Sequence, residues 1–245
     1  MTHWPALDDA CGSAEHVPAL LDRFEADPGG VWSELMDHLC PHLDTAYPAS
    51  YAALPRLAET ATTCAPDHLR RVLLAAGAIA ACAPGHAQPG GPLEVFAAPL
   101  AVLHRLTDEA LRTTQEEQDY VDLLQCLLSF EGAEVWDRCL EGLHTGEYEV
   151  DCPYCGVNVS VVFGEHGCYC ASGDDMEPQD AATSPPRPAR PDALDGLARR
   201  LHARALADGH EPVARAVTYL FGHAACPDCG TVFPVADRVT ARWIP

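Results

Sequence analysis

Two short cysteine turns carry the clearest chemistry in this 245-residue chain: Cys152-Pro153-Tyr154-Cys155-Gly156 and Cys226-Pro227-Asp228-Cys229-Gly230. Each is a Cys-x-x-Cys with proline after the first cysteine and glycine after the second. Zinc takes four soft ligands in a tetrahedron, and two such knuckles facing each other supply them. Proline fixes φ at the start of the tight turn. Glycine accepts the positive φ that lets backbone N–H groups curl toward the sulfurs. The expectation is one zinc ion per chain on Cys152, Cys155, Cys226 and Cys229. Four thiolates close the coordination shell, so the ion is structural, contributing on the order of 10 kcal/mol of apparent binding energy to folding.

Two other readings of the knuckles fit less well. Cys-Pro-Tyr-Cys is also the active-site tetrapeptide of glutaredoxins, where a helix begins at the motif. Here Gly156-Val157-Asn158-Val159-Ser160-Val161-Val162-Phe163 follows, alternating and β-branched, which reads as a strand. Redox catalysis would also leave the second knuckle without a purpose. The zinc deaminase signature needs a His-x-Glu, and none occurs in the chain.

The first 145 residues, which precede the knuckles, read as helices throughout. Val17, Leu20, Leu21 and Phe24 fall at the spacing of an amphipathic stripe. Similar stripes run through Val31, Trp32, Leu35, Met36 and Leu39, through Tyr51, Leu54, Leu57, Ala58 and Ala61, and through Leu69, Val72, Leu73, Ala76 and Ile79. After a Pro/Gly loop at 83–92 come Leu93, Phe96, Leu100, Leu103 and Leu106. A sixth stripe carries Tyr120, Leu123, Leu124, Leu127 and Leu128. The seventh has Val135, Trp136, Cys139, Leu140 and Leu143, and stops near Gly146. Pro18, Pro55 and Pro99 lie 37 and 44 residues apart in similar contexts. A helix pair recurring at that period is the mark of HEAT and armadillo repeats, and proline at one relative place predicts a shared bend.

The predicted architecture is mainly α. A short HEAT/armadillo-like α-solenoid over 1–146 is followed by a small zinc ribbon over 147–245, its knuckles at 152–155 and 226–229. A disordered linker at 172–192 and a helical insertion at 193–222, with a stripe of Leu194, Leu197, Leu201 and Leu206, interrupt the ribbon. Cys168 and Cys170, near His166, make an incomplete metal set and read as a pair of thiols. Arg199, Arg200, His202 and Arg204 make the 194–206 helix basic. Scattered histidines such as His38, His42, His68 and His104 read as helix-surface or core residues.

The formal net charge is −21 and uneven. Residues 1–151 hold 25 Asp and Glu against 7 Arg, whereas residues 152–245 hold 11 against 8. Such a surface repels nucleic acid, whose affinity rests on phosphate neutralisation, and favours a basic protein partner. No apolar run reaches the roughly 20 residues of a membrane span. Met1-Thr2-His3-Trp4-Pro5 has neither the basic region nor the apolar core of a secretion signal, which predicts a cytoplasmic protein. No Gly-x-Ser-x-Gly, His-Glu-x-x-His or phosphate loop appears, so catalysis is not expected.

The run His42-Leu43-Asp44-Thr45-Ala46-Tyr47-Pro48-Ala49-Ser50-Tyr51-Ala52-Ala53-Leu54-Pro55 resembles a group of bacterial, mostly actinobacterial, HEAT-like repeat proteins. These carry a His-x-Gly-Thr, then Tyr-Pro-Ala-Ser and an Ala-Val/Leu-Pro helix start. Asp44 stands where the group has glycine, so the turn before that helix is expected to differ. Leu220-Phe221-Gly222-His223-Ala224-Ala225-Cys226-Pro227-Asp228-Cys229-Gly230 is similar to the zinc-ribbon end of longer members. Solenoid stacking, a closed zinc shell and acidity fit a protein–protein interaction module without chemistry, and for some relatives the resemblance implies an immunity protein encoded beside a polymorphic toxin. An acidic solenoid suits a basic toxin. The alternatives are a nucleic-acid-associated zinc ribbon or an enzyme.

Overall fold

The computed structural model describes residues 2–83, 91–133, 135–164, 167–172 and 183–242. They form a mainly helical fold with small sheets, in two units: Met1–Thr114 with Asp122–Arg138, and Gln115–Val121 with Cys139–Pro245. The division falls at Cys139, not at the expected 146, and residues 115–121 join the second unit.

In the first unit a hairpin of β1 (Asp8–Asp9) and β2 (Gly12–Ser13) precedes α1 (Val17–Ala26) and α2 (Trp32–Leu39). Then come α3 (Pro48–Thr63), α4 (Pro66–Ala81), α5 (Ala97–Leu111) and α6 (Glu117–Glu131), whose first residues belong to the second unit. The expected stripes build the core. Val17, Leu35, Leu39, Leu54, Leu57, Val72, Leu73, Ile79 and Leu103 are fully buried, each large side chain contributing about 1.5–3 kcal/mol. Asp27 ends α1, and its carboxylate accepts the Gly30 N–H at 2.9 Å. Arg56 on α3 reaches Asp22 at 2.8 Å and Glu25 at 2.5 Å on α1. The Tyr-Pro-Ala-Ser run fixes the start of α3: buried Ser50 accepts the Tyr47 N–H at 2.8 Å and donates to the Leu39 carbonyl. The left-handed residues of the preceding turn are His42 (φ 54°) and Leu43 (φ 58°), whereas Asp44 has φ −128°.

The three prolines do not share a place. Pro55 lies inside α3, but Pro18 and Pro99 lie in the first turns of α1 and α5. Ahead of those two the chain winds as 3-10 turns, Ala14–His16 and Glu94–Phe96. A proline lacks the N–H that would close an α turn there. The expected common bend is therefore absent. Most of the predicted 83–92 loop lies outside the described residues.

The second unit holds α7 (Gly142–Thr145), then β3 (Glu147–Asp151), β4 (Asn158–Val162), β5 (Tyr169–Ser172) and β6 (Thr183–Ser184), an antiparallel sheet in that order. The predicted seventh helix is reduced to these four residues of α7, and Val135, at the head of its stripe, takes φ 75°, which no α-helix runs through. It does end at Gly146, which caps it at φ 76°. After α8 (Gly196–Ala207) and α9 (Glu211–Leu220), β7 (His223–Ala225) pairs with β8 (Val232–Pro234), and α10 (Val235–Ala241) follows. The buried stripe of the α8 segment is Leu194, Ala198, Leu201 and Ala205. Leu206, expected inside, is 49% exposed. Arg204 pairs with Asp208, which also accepts the Tyr120 hydroxyl at 3.0 Å.

The linker expected to be disordered is ordered over 183–192. Thr183 and Ser184 pair with Ala171 and Cys170 on β5, and Arg187 exchanges two backbone hydrogen bonds of 2.8 Å with His223 on β7. This strap stitches the two knuckle-bearing hairpins. Ser172, the first residue of that linker, ends β5, and residues 173–182 lie outside the described set. No helix among the described residues is long and apolar enough to cross a membrane.

Candidate metal centre

Each knuckle sits at the tip of a hairpin, β3–β4 for the first and β7–β8 for the second, and the two have the same internal bonding. The Cys152 N–H donates to the Val157 carbonyl at 2.9 Å, and Gly156 N–H to the Cys152 carbonyl at 3.0 Å. In the second, Cys226 donates to Thr231 at 2.9 Å and Gly230 to Cys226 at 2.9 Å. Gly156 and Gly230 have φ 72° and 73°. A Cβ at either would meet nothing within 4 Å, so conformation and not space requires glycine there.

The hairpins bring the four predicted ligands together. Cys152 Sγ lies 3.7 Å from Cys229 Sγ, and Cys155 Sγ 3.7 Å from Cys226 Sγ. All four sulfurs fall within 4.8 Å of one another. An ion bonded to four sulfurs at about 2.3 Å in a tetrahedron separates them by about 3.8 Å. Disulfides, with sulfurs about 2.05 Å apart, are not formed. Cys152 and Cys226 are buried, while Cys155 and Cys229 face solvent. The set can hold one metal ion with its shell closed.

The surroundings spread charge unevenly over the sulfurs. The Thr231 hydroxyl, 3.2 Å away, and the Thr231 backbone N–H bring the Cys229 thiol down to about 6. The Val157 N–H pulls the Cys155 thiol down, yet desolvation and the Cys152, Cys229 and Cys226 sulfurs prevail and push it up to about 12. Four sulfurs this close cannot all ionise without a cation between them.

Residues with no signature in the sequence brace the site. Ser172, at the end of β5, donates to Asp228 of the second knuckle at 2.6 Å. Ser184 on the strap donates to the Ala225 carbonyl at 2.5 Å. Arg238 on α10 reaches back to the Asp151 carbonyl at 3.0 Å. Cys170 is buried on β5, and Cys168 lies 3.5 Å from the Tyr219 hydroxyl. Neither belongs to a metal-ligand cluster among the described residues, and His166 lies outside them.

Comparison of the chain with protein-family models, with curated proteins and with solved structures finds no match in any of the three. The cysteine centre stands on its own geometry. One further cluster, Asp9, His16 and His38 in the first unit, has no counterpart among the sequence expectations. Its members are 7 and 22 residues apart and form no motif. His38, read as an ordinary helix histidine, belongs to it.

Proposed function

We propose that the chain is a non-catalytic binding protein of the cytoplasm: a short HEAT- or armadillo-like array of helix pairs with an acidic surface, joined to a ribbon clamped by one structural zinc ion. Its partner is a protein with a basic surface, and a toxin neutralised by this chain is the setting the sequence resemblance suggests. The observation that carries the reading is charge: 25 acidic residues against 7 arginines over residues 1–151. Like charge at that density speeds encounter with an oppositely charged protein and disfavours nucleic acid. The packing supports the repeat reading. First helices touch first helices, α1 on α3 and α3 on α5, and second helices touch second helices, α2 on α4. That two-layer pattern is how helix-pair repeats stack into an extended binding surface. A closed shell of four thiolates supports a structural ion, because no position is left for a substrate.

The test is affinity purification of the tagged chain from its native cells after crosslinking, with neighbouring reading frames noted, followed by reconstitution with the purified partner. A basic partner whose affinity falls steeply as salt rises is the expected result. Binding indifferent to salt, or a salt-sensitive shift of DNA or RNA by the chain itself, overturns the reading.

A further inference from the structure

Independently of that reading, we propose that Asp9, His16 and His38 form a second metal site, an open one for a divalent first-row transition ion. Asp9 Oδ2 lies 2.9 Å from His38 Nδ1 and 3.1 Å from His16 Nε2, and the two ring nitrogens are 3.1 Å apart. Three donor atoms thus form a nearly equilateral triangle. Hydrogen bonding accounts poorly for all three edges. Each ring nitrogen is a donor or an acceptor at one time, so a proton that serves one edge leaves another facing a like partner. A cation over the triangle satisfies all three lone pairs at once. The two rings meet edge to face at 61° and do not stack.

The size of the triangle indicates the geometry. An octahedral ion with bonds near 2.1 Å separates neighbouring ligands by about 3.0 Å, whereas a tetrahedral ion at the same bond length separates them by about 3.4 Å. The observed edges match one octahedral face. Two imidazoles and one carboxylate on a face are the donor set of mononuclear Fe(II) and Mn(II) centres, with the remaining positions left to water or oxygen ligands. This chemistry differs from that of the four thiolates, so the two sites select different ions.

Local structure holds the triangle in place. Asp9 ends β1, and its other oxygen accepts the Cys11 N–H at 2.8 Å, which fixes the carboxylate plane. The Ala10 N–H donates to the His38 carbonyl at 3.0 Å, tying the hairpin to the last turn of α2. His16 closes the 3-10 turn that leads into α1. The Asp9 side chain is fully buried, while those of His16 and His38 are 41% and 22% exposed. A carboxylate removed from water calls for compensating positive charge, and the partly exposed imidazoles leave the ion a route in.

The test is Co(II) titration of the full chain, with its cysteine centre first saturated with zinc, followed by absorption and calorimetry. A second equivalent is expected, with weak ligand-field bands and none of the intense charge-transfer absorption of a thiolate-bound ion. In His16→Ala, whose side chain is partly exposed, and in the near-isosteric Asp9→Asn, this equivalent should weaken about tenfold or more, with zinc content and thermal melting near wild type. In Cys155→Ser the second equivalent should persist. Wild-type protein that takes up no second equivalent leaves a hydrogen-bonded cluster only and overturns the proposal. So does a second equivalent that survives both His16→Ala and Asp9→Asn unchanged.

Discussion

Removing the proposed zinc ion from the cysteine centre should release one hairpin before anything else in the second unit. The β7–β8 hairpin has three residue pairs, His223 with Pro234, Ala224 with Phe233 and Ala225 with Val232. It buries Ala224 and Phe233, while Val232 is 48% exposed. Ordering the backbone of 223–234 costs about 12–24 kcal/mol at 1–2 kcal/mol per residue. Burial of those two side chains returns about 3–4 kcal/mol. A structural zinc contributes about 10–16 kcal/mol, the size of the shortfall, so the ion and not side-chain burial holds this hairpin. Hydrogen–deuterium exchange with and without a strong chelator measures the consequence. Even ~4 kcal/mol expressed locally speeds exchange of the 223–234 amides about 1,000-fold, and Cys229→Ser should do the same without chelator. Amides of 223–234 that exchange at the same rate in the metal-loaded and chelated protein would refute the reasoning.

Other substitutions test the packing directly. A Cβ at Gly222 would fall on the Arg187 carbonyl oxygen and 2.8 Å from that of Thr218; Gly222→Ala should cost about 1–3 kcal/mol in urea unfolding by pushing the strap off β7. Leu201→Ala should cost about 2–4 kcal/mol, whereas exposed Leu206→Ala should stay within about 0.5 kcal/mol; the reverse order would mean that α8 buries the other stripe. Cys40 and Cys82 lie 3.2 Å apart. The hydrogen bond from Cys40 and the charge of Arg138 lower the Cys82 thiol, while the same bond and burial raise that of Cys40. Iodoacetamide should therefore modify Cys82 at least about tenfold faster than Cys40 near neutral pH, read by peptide mass spectrometry.

What the sequence disclosed is what local chemistry decides. The knuckles were legible because proline, glycine and two cysteines state a turn within five residues, and they state it twice. The helical stripes of the first unit were legible because the 3.6-residue period shows within a dozen residues. The phase of α8 was not: Leu197 and Leu206 compete there with the smaller Ala198 and Ala205, and tertiary packing chose the alanines. Nor was the strap, whose Pro185, Pro186 and Pro188 read as disorder. An edge segment tolerates prolines where no donor is needed, and here the donors are Arg187, to His223, and Ala189, to Thr218, both at 2.8 Å. Pro186 fills a buried position beside them.

The Asp9, His16 and His38 cluster marks the other limit of legibility. Its ligands come from a two-residue strand, a 3-10 turn and the end of a helix, and nothing in their spacing announces that three atoms will meet. Closed thiolate centres grow from a motif because one turn delivers two ligands. An open mixed-donor centre draws single ligands from separate elements, so only the folded chain discloses it. The two sites should therefore fail separately: chelation that frees the second knuckle acts through β7–β8, whereas loss of the histidine-bound ion acts at the β1–β2 hairpin, and exchange of the Ala10 amide, bonded to the His38 carbonyl, reports it. If the Ala10 amide exchanges at one rate in Co(II)-loaded wild type and in His16→Ala, the hairpin is held by its hydrogen bonds alone and the ion does not brace it.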